Sequence, residues 1–476
     1  MMRHIITKIN THCNAVVVLV VMSLLSIPKG HCITIQEERE MSKEFIKVVQ
    51  TQFPLIRDPI IVDYVNRVGN RILNAIEPQP FDYQFYVLHE DVYNAFATPA
   101  GHIFFNSGLF AALDSEEELA GILGHEIAHV TCRHISDRIE SSKRINVATM
   151  AGMVAGVLLG ASGAGEAASA LTMGSLAAGQ SAVLAYSREN ETQADQLGLE
   201  YLARAGYSGE GLLTSLKKIR SKQWYGSNEV PTYLTTHPAS EARMGYIDNW
   251  LNQHPDHKEM RRTEVGGFEL AHTRLVALYT DKKIALDQFR AQIDRTPGDP
   301  FAHYGYALTL TRSDKWHEAI HHMKVAIEGN ALATHMLIDL GTMYFHDGQY
   351  ENAEKALLAG KSEKDPQGLL YLGRTQMELG QVSEAKQTFE NLVSENESYA
   401  LAYYYLGESS GMAGDMFNAH YNLGRYYQQK RDVKNAEFHL NRALKIAADE
   451  NQKELASHQL RTLHSQRRGK KAPGAG

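Results

Sequence analysis

The chain has few cysteines. Its 476 residues contain three, Cys13, Cys32 and Cys132. If the first 32 residues are removed as a signal peptide, only Cys132 remains, and an intramolecular disulfide framework is excluded. Stability must then come from packed cores and any bound metal.

A long apolar run is also missing. The N-terminal apolar stretch from Ala15 to Ile27 has about thirteen residues and follows Arg3 and Lys8, whereas a membrane helix needs about 20. A short apolar run after a basic start predicts a secretory signal peptide over residues 1–32, cleaved after Cys32, and hence an exported, periplasmic protein. A retained anchor and lipidation of Cys32 stay open as alternatives.

The charge balance gives no excess of basic residues. The formal net charge is −7, which argues against non-specific binding to nucleic acid, so no nucleic-acid partner is expected. Hydrophobic residues make up 43% and charged residues 22%, which are globular values. The length allows two or three domains.

Residues 145–186 are rich in glycine and alanine and almost free of charge. Large apolar side chains are sparse there, which argues against a true membrane span. The pattern favours a pair of tightly packed buried helices. A lid, or an element in peripheral contact with a membrane, is the alternative.

The first half of the chain alternates between helical and extended patterns. Apolar spacing predicts a helix over residues 60–76 and strands over residues 81–88 and 102–105. A turn at Pro99-Ala100-Gly101 precedes the second strand. Ser115, three residues before Glu118, predicts the capped start of a helix.

That helix carries the sequence His125-Glu126-Ile127-Ala128-His129. Histidines four residues apart lie on one helix face, so both imidazoles can reach one metal ion. Glu126 lies about 100° round the helix, where it can accept a proton from the attacking water. The pattern predicts a zinc-dependent peptidase.

A catalytic zinc site needs a third protein ligand. Glu191 and Asp195 are four residues apart on a predicted helix. One carboxylate can bind the metal while the other hydrogen-bonds a ligand histidine and fixes its tautomer. We expect Glu191 to be the ligand and Asp195 the orienting group; two acidic residues on a surface helix are the alternative.

Small residues recur at fixed offsets after residue 300. Ala307, Ala319 and Ala326 are followed by Gly341, Ala353 and Gly360 after 34 residues, and by Gly373, Ala385 and Leu392 after another 32. A period of 34 is that of tetratricopeptide repeats, whose helical hairpins need small residues where they touch. We expect these repeats over residues 263–465, with an irregular first unit at 270–296, a boundary in the polar connector before them, and a disordered basic tail over 466–476.

The last repeats depart from this period. Gly407 and Ala419 continue it, but Gly424, Ala436 and Ala443 restart it only 17 residues later. An extra or shared helix near residues 400–420 would explain the half-repeat. The expected packing partners are aromatic: Tyr344, Tyr350, Phe389, Tyr427 and Phe438.

Four blocks in order resemble one peptidase family. In chain order the blocks are the stretch from Asn94 to Phe105, HEIAH at 125–129, ETQAD at 191–195, and Thr236-His237-Pro238 with Arg243. They are similar to the family of the prenyl-protein endopeptidases and the heat-shock protease HtpX. The resemblance implies an α+β zincin-like metallopeptidase domain, placed at residues 33–262, with one zinc ion per chain. Ala100 departs from the family, which usually has glycine there.

The resemblance also implies roles for residues outside the helix. An extended substrate would add to the exposed edge of the Asn94–Phe105 strand, beside Asn94, Ala95 and Phe96. A simple core hairpin is the alternative. His237 would lie on a loop near zinc, where it could stabilise an oxyanion or occupy the fourth zinc position and keep the enzyme latent. A structural loop histidine is the third reading.

Two further residues near the motif are less specific. Arg243 is expected to pair with an acidic residue such as Asp195, although a surface charge is the alternative. Cys132 follows His129 by three residues, but a fourth tight ligand would close the catalytic position, so a buried thiol behind the site is expected.

The combined reading is a periplasmic zinc metalloendopeptidase with a repeat domain that binds protein. The resemblance implies a chaperone-like role and partners at the outer membrane: the β-barrel assembly machinery, the lipopolysaccharide-transport barrel, and misassembled barrel proteins as substrates. A chaperone or adaptor with a latent or structural zinc site and a general housekeeping peptidase remain as alternatives.

Overall fold

The computed structural model describes residues 33–141, 186–225, 232–238, 241–258, 265–329, 334–360 and 365–469. The predictions for the signal peptide, for nearly all of the Gly/Ala-rich segment 145–186 and for the boundary at residue 262 lie outside these residues. No helix in the described ranges is both long and apolar enough to cross a membrane.

The chain forms two compact units. Among the described residues, the first unit comprises those up to Leu55, then Val68–Asn106, and those from Glu117 to residue 258. The second comprises Ile56–Arg67, Ser107–Glu116 and the residues from 265 onward. Two short segments that precede the predicted repeat region therefore belong to the repeat unit, which the sequence did not indicate.

The elements before residue 260 mix helices with a small sheet. In chain order they are α1 (Ile35–Gln52), β1 (Leu55–Ile56), α2 (Pro59–Asn74), β2 (Gln84–Leu88), β3 (Ala95–Thr98), β4 (His102–Asn106), α3 (Ser107–Ala112), α4 (Glu116–Thr131), α5 (His134–Ser141), α6 (Arg188–Ala205), α7 (Glu210–Tyr225), α8 (Thr232–Thr236), α9 (Glu241–Gln253) and α10 (Pro255–Lys258).

The elements after residue 264 are all helices. They are α11 (Val265–Tyr279), α12 (Lys282–Arg295), α13 (Pro300–Thr311), α14 (Trp316–Glu328), α15 (Thr334–His346), α16 (Tyr350–Ala359), α17 (Pro366–Glu378), α18 (Val382–Glu395), α19 (Ala400–Met412), α20 (Met416–Gln429), α21 (Val433–Ile446) and α22 (Glu450–Gly469).

The sheet has four strands in the order β1-β2-β4-β3. β2 and β4 are parallel, with Gln84 opposite His102, and β3 runs antiparallel to β4, with Ala95 opposite Phe105. The strand predicted at residues 81–88 begins only at Gln84, and Phe81 is buried ahead of it. The predicted edge stretch Asn94–Phe105 forms two strands: β3 lies at the edge of the sheet, whereas β4 lies inside it between β2 and β3.

The turn between β3 and β4 is a single 3-10 turn over Pro99–Gly101. Its central residue, Ala100, has φ 62° and ψ 27°, and Gly101 has φ 90°. The left-handed region brings the Cβ of an L residue close to a carbonyl oxygen, which costs about 1–2 kcal/mol. The departure from glycine at Ala100 therefore falls at a position where the backbone itself favours glycine.

Close contact between helices α4 and α6 sets the geometry of the first unit. A Cβ on Gly198 of α6 would lie 3.3 Å from the backbone nitrogen of His125 on α4, and a Cβ on Gly124 would lie 3.2 Å from Leu202. Glycines at both positions let the two backbones approach each other. The helix that carries Glu191 and Asp195 is thereby packed directly against the HEIAH helix.

The repeat unit is built from helical hairpins in which a glycine on one helix receives a large side chain of the other. A Cβ on Gly341 would meet Leu357 at 2.5 Å, and a Cβ on Gly373 would meet Phe389 at 2.5 Å. These contacts explain the small residues that repeat in the sequence, since any larger side chain would push the paired helices apart.

The half-repeat comes from a shared helix, one of the two expected explanations, although this helix spans Met416–Gln429 rather than residues 400–420. Gly407 of α19 packs against Leu423 of α20, and Gly424 of the same α20 packs against Leu440 of α21. Helix α20 thus closes one hairpin and opens the next. Phe438 was predicted as a packing partner and this is wrong: it is 63% exposed, because the buried face of α21 is formed by Ala436, Leu440 and Ala443.

The basic tail begins later than predicted. Helix α22 continues to Gly469, so residues 466–469 of the predicted disordered tail are helical. Leu460 and Leu463 pack against Leu440 of α21 and anchor this last helix.

A buried ionic cluster holds the start of the repeat unit together. Arg274 of α11 donates to Asp58 at 2.5 Å, to Asp339 at 2.6 Å and to the hydroxyl of Tyr304 at 2.8 Å. All four side chains are buried. Removing one partner of such a cluster leaves an uncompensated buried charge, so Asp58 is tied firmly into this unit.

Replacing Ala100 with glycine should stabilise the first unit. Glycine removes the left-handed strain but adds about 0.5–1 kcal/mol of chain entropy in the unfolded state. We expect a net gain of roughly 0.5 kcal/mol in the free energy of unfolding, measured as a shift of the first unit's thermal or urea transition.

The matched control is Gly101→Ala at the adjacent position. Its φ of 90° is strained for alanine, and the new Cβ would lie 3.3 Å from Phe81 and Tyr83. This variant should lose stability. An Ala100→Gly variant that is less stable than the parent would contradict the account of the turn.

Candidate metal centre

Four buried side chains of the first unit converge on one point. His125, His129, Glu191 and His237 each offer a ligand atom, and these four atoms all lie within 4.8 Å of one another. The histidines of α4 are separated by one helical turn, Glu191 lies on the first turn of α6, and His237 follows α8 directly. All four are fully buried or nearly so.

The spacing of the donor atoms matches the edges of a tetrahedron. Nε2 of His125 lies 3.0 Å from Nε2 of His129 and 3.4 Å from Nδ1 of His237. Oε1 of Glu191 lies 3.1 Å from Nδ1 of His237 and 3.3 Å from Nε2 of His129. Ligands about 2.0 Å from a tetrahedral ion are about 3.3 Å apart, so the four atoms can hold one small ion between them.

Arg243 organises the two carboxylates of α6. Its guanidinium makes two parallel hydrogen bonds of 2.7 Å to Asp195 and also pairs with Glu191. Asp195 in turn lies 3.0 Å from Nδ1 of His125, on the side of the ring away from the other ligands. Glu191 therefore turns Oε1 toward the histidines. Arg243 fixes the two carboxylates, and Asp195 fixes the ring of His125.

The protonation preferences follow from these contacts. Burial favours the neutral acid at Glu191, but the imidazole of His237 and the guanidinium of Arg243 outweigh it and hold the pKa of Glu191 well below its usual range. Burial alone would lower the pKa of His125; hydrogen bonds to Asp195 and Glu191 raise it to about 9. Burial dominates at His129 and lowers its pKa well below the ordinary value.

The charge of the buried site fits a divalent cation. Glu126, Glu191 and Asp195 are carboxylates, and Arg243 is the one buried guanidinium that contacts them among the described residues. When all three carboxylates are ionised and His125 has given up its proton, two negative charges remain unbalanced. Buried charge without a partner is costly. A divalent ion among three nitrogens and one oxygen would neutralise it, so the residues present fit a metal.

Glu126, the residue after His125 on α4, also approaches this group of ligands. Its Oε1 lies 3.5 Å from Nε2 of His237. Burial raises its pKa, opposed by His237 and His125. His237 thus contacts the candidate base with one ring nitrogen and approaches the other ligands with the second.

The residues predicted to bind substrate lie next to the site, but their environment differs from the prediction. Asn94, Ala95 and Phe96 are buried, and so are all four residues of β3. The expected exposed edge is therefore wrong for this state of the chain. The segment that carries His237 accounts for part of the cover: Tyr233 N–H donates to the carbonyl oxygen of Tyr93 at 3.0 Å, just before β3.

Cys132 lies outside the group of four ligands. It follows the last residue of α4 and is half-buried rather than enclosed behind the site. Burial raises the pKa of its thiol, which disfavours the thiolate that metals bind.

Two tyrosines of the site were not identified from the sequence. The ring of Tyr186 stacks on His129 with centroids 3.9 Å apart, and the ring of Tyr233 stacks on His237 at 4.5 Å. Together they enclose the imidazoles in an apolar wall. Tyr186 comes from a separate segment, and no spacing rule marks it. Tyr233 lies four residues before His237, one helical turn away, and this spacing is the one signal that could have indicated it.

Comparison with protein families identifies both regions. Residues 62–251 match peptidase family M48, and residues 367–397 and 417–450 match tetratricopeptide repeats. These matches agree with the resemblance drawn from the four sequence blocks. They confirm the predicted fold class of an α+β zincin-like metallopeptidase domain followed by a helical repeat region.

Several curated proteins are similar over much of the chain. The beta-barrel assembly-enhancing protease of Escherichia coli (strain K12) is 29% identical over 383 residues, covering 76% of this chain and 75% of that protein. The protein of the same name from Yersinia pestis is also 29% identical, covering 61% and 59%. The mitochondrial metalloendopeptidase OMA1 of Schizosaccharomyces pombe is 24% identical, covering 46% and 62%.

One solved structure is similar to part of the chain. YrrB, a tetratricopeptide-repeat protein, is 23% identical with a TM-score of 0.27, covering 37% of this chain and all of that one.

Metal affinity should rise with pH up to about 9. Without metal, His125 holds a proton up to its pKa of about 9, and a metal must displace it. Burial and neighbouring charges keep His129 and Glu191 unprotonated at neutral pH. Loss of one proton per bound ion predicts about a tenfold gain in affinity per pH unit between 7 and 9, then a plateau.

Chelator competition between pH 6.5 and 9.5, corrected for protonation of the chelator, measures this slope. Asp195→Asn removes a carboxylate that raises the pKa of His125, so its plateau should begin at a lower pH. An affinity that does not change between pH 7 and 9 in the parent protein would refute the assignment.

Proposed function

Because the chain carries a domain of peptidase family M48 at residues 62–251, we propose that it is a zinc metalloendopeptidase of the periplasm that acts on outer-membrane β-barrel proteins. The observation that carries the proposal is the buried group of His125, His129, Glu191 and His237 beside Glu126. These residues supply the donor atoms of a metal site and a carboxylate adjacent to it.

The donor set favours zinc over other metals. Three imidazole nitrogens and one carboxylate oxygen in a compact tetrahedral arrangement suit zinc, whereas magnesium and calcium prefer six or more oxygen ligands. A zinc ion at this point supplies Lewis-acid chemistry that polarises a peptide carbonyl and makes water a better nucleophile at neutral pH.

Glu126 is the proposed general base and acid. It accepts a proton from the attacking water and later delivers it to the leaving amine. Burial raises the pKa of Glu126, so its carboxyl keeps the proton taken from the water for longer than a carboxyl with an ordinary pKa would. The proton therefore stays available for the leaving amine. Asp195 orients His125, and Arg243 holds Asp195 and Glu191 in place.

We propose that His237 keeps the site closed. With His237 as a fourth donor atom, a tetrahedral metal would have no position left for the attacking water, and the second ring nitrogen of His237 faces Glu126. The peptide and water can enter only after His237 leaves. This closed arrangement also favours a second candidate function: an adaptor or chaperone in which the metal is structural and cleavage is exceptional.

The substrate class rests on relatives and on the repeat region. Two bacterial relatives are named for β-barrel assembly, and the chain spans 75% and 59% of their lengths. Tetratricopeptide repeats usually bind protein, and we propose that these repeats select misassembled barrel proteins and contact the assembly machinery and the lipopolysaccharide-transport barrel. The proposed location follows from the N-terminal sequence, whose pattern is that of a signal peptide.

Glu126→Gln tests the proposed catalytic role. The amide keeps the size of the side chain but cannot take the proton, so kcat for cleavage of an unfolded barrel protein should fall about 10²–10⁴-fold. Metal content should stay unchanged, because Glu126 is not among the four ligands. Glu189→Gln, an exposed change in the first turn of α6, is the matched control and should cleave normally.

Cleavage at the parental rate by Glu126→Gln would overturn the proposed mechanism. The same variant separates the peptidase from the adaptor. If it fully restores outer-membrane integrity to cells that lack the protein, and no substrate accumulates, the adaptor function is favoured.

His237→Ala separates the two roles available to this residue. If His237 caps the site, the variant should cleave faster than the parent; a closed state favoured by about 1.4 kcal/mol lowers activity about tenfold. If His237 instead stabilises the transition state, the rate should fall. Initial rates of cleavage at saturating substrate and equal metal content distinguish the two roles. A variant slower than the parent would refute the cap.

A further inference from the structure

The second ring nitrogen of His129 is held by another histidine. Nε2 of His129 faces the other ligands, and its Nδ1 lies 2.9 Å from Nδ1 of His134. Nε2 of His134 lies 3.0 Å from Oε1 of Gln193. Among the described residues, this gives a continuous chain of contacts from the metal ligand through His134 to Gln193.

The placement of protons along this chain follows from elementary chemistry. A neutral imidazole that gives the lone pair of Nε2 to a metal carries its proton on Nδ1. Nδ1 of His129 must then be the donor, and Nδ1 of His134 must be the acceptor. His134 accordingly carries its own proton on Nε2 and donates it to the carbonyl oxygen of Gln193, which can only accept.

We propose that His134, oriented by Gln193, is a positioning residue that fixes the tautomer and ring orientation of His129 and thereby tightens metal binding. The inference rests on the proposed metal site and goes beyond the proposed ligands and base. It assigns to His129 the kind of partner that Asp195 provides for His125.

The chain builds this contact with a break in the metal helix. Arg133 has φ 55°, which ends α4 and turns the chain before α5 begins at His134. The guanidinium of Arg133 is fixed by Glu38 at 2.5 Å and by the carbonyl oxygen of Ile33. His134 is buried and directed back toward His129, which a continuous helix would not achieve for two histidines five positions apart.

Helix α6 supports both imidazoles of the motif. Asp195 contacts His125, and Gln193, two residues earlier, contacts His134. The two supports differ in charge. A neutral histidine behind His129 leaves the site with two unbalanced negative charges, which a divalent ion neutralises, whereas a carboxylate at residue 134 would add a third. The neutral partner therefore suits the charge of the site.

Two amide substitutions at residue 134 test the role of the acceptor. Asn places its carbonyl oxygen where Nδ1 of His134 lies, so His134→Asn keeps an acceptor for His129. His134→Gln reaches the position of Nε2 and leaves no acceptor at Nδ1. Zinc dissociation constants from chelator competition on the full chain should rise about 10–100-fold for His134→Gln and His134→Phe, and much less for His134→Asn.

The visible absorption of cobalt(II) bound in place of zinc is the second readout, because it reports ligand geometry and does not depend on activity. His134→Gln and His134→Phe should change the spectrum, and His134→Asn should resemble the parent. Ser136→Ala, at another buried position of α5, is the control for packing and should change neither readout.

Gln193→Leu decides the matter if the changes at residue 134 prevent folding, because Gln193 is exposed and its loss leaves the core intact. It should weaken zinc binding less than His134→Gln does but more than Ser136→Ala. Parental zinc affinity and cobalt spectra in folded His134→Gln or in Gln193→Leu would overturn the inference and leave the proposed function standing. A parent protein that binds no zinc would overturn both.

Discussion

The close packing of helices α4 and α6 is the constraint on which the site depends. Gly124 and Gly198 allow the two backbones to meet beside His125, and this contact brings two histidines of one helix to the carboxylates of the other. Arg243 then compensates Asp195 and Glu191 in a region without water access. A larger side chain at either glycine would separate the donors, and the buried carboxylates would lose their partners.

We propose that the closed arrangement controls peptide hydrolysis at two places, the metal position and the substrate strand. His237 supplies a donor atom and contacts the candidate base, and Tyr233 and Tyr186 enclose the histidines from either side. The same segment bonds to the backbone before β3, the strand expected to receive substrate. Displacement of the segment that carries Tyr233 and His237 would therefore free both the metal position and β3. Any event that displaces this segment would then change the activity.

Much of the site was predictable because helical spacing is rigid. His125 and His129, like Glu191 and Asp195, are four residues apart, and any helix places such pairs on one face. The repeats were predictable for a similar reason, since a glycine recurs wherever a hairpin needs a close contact.

The contact between His134 and Gln193 was not predictable, because it depends on the left-handed backbone at Arg133. Tyr186 and the burial of β3 depend on tertiary packing and leave no periodic signal. The membership of residues 56–67 in the repeat unit rests on Asp58 and its buried partner Arg274, 216 positions later in the chain.

X-ray absorption at the zinc edge of the purified full-length protein tests the central claim most directly. The account predicts one zinc ion per chain with four nitrogen or oxygen ligands at about 2.0–2.1 Å, and imidazole scattering from three histidines. A sulfur ligand at about 2.3 Å, which would point to Cys132, would contradict the account. A six-coordinate shell of oxygen atoms, or a protein that retains no zinc, would contradict it as well.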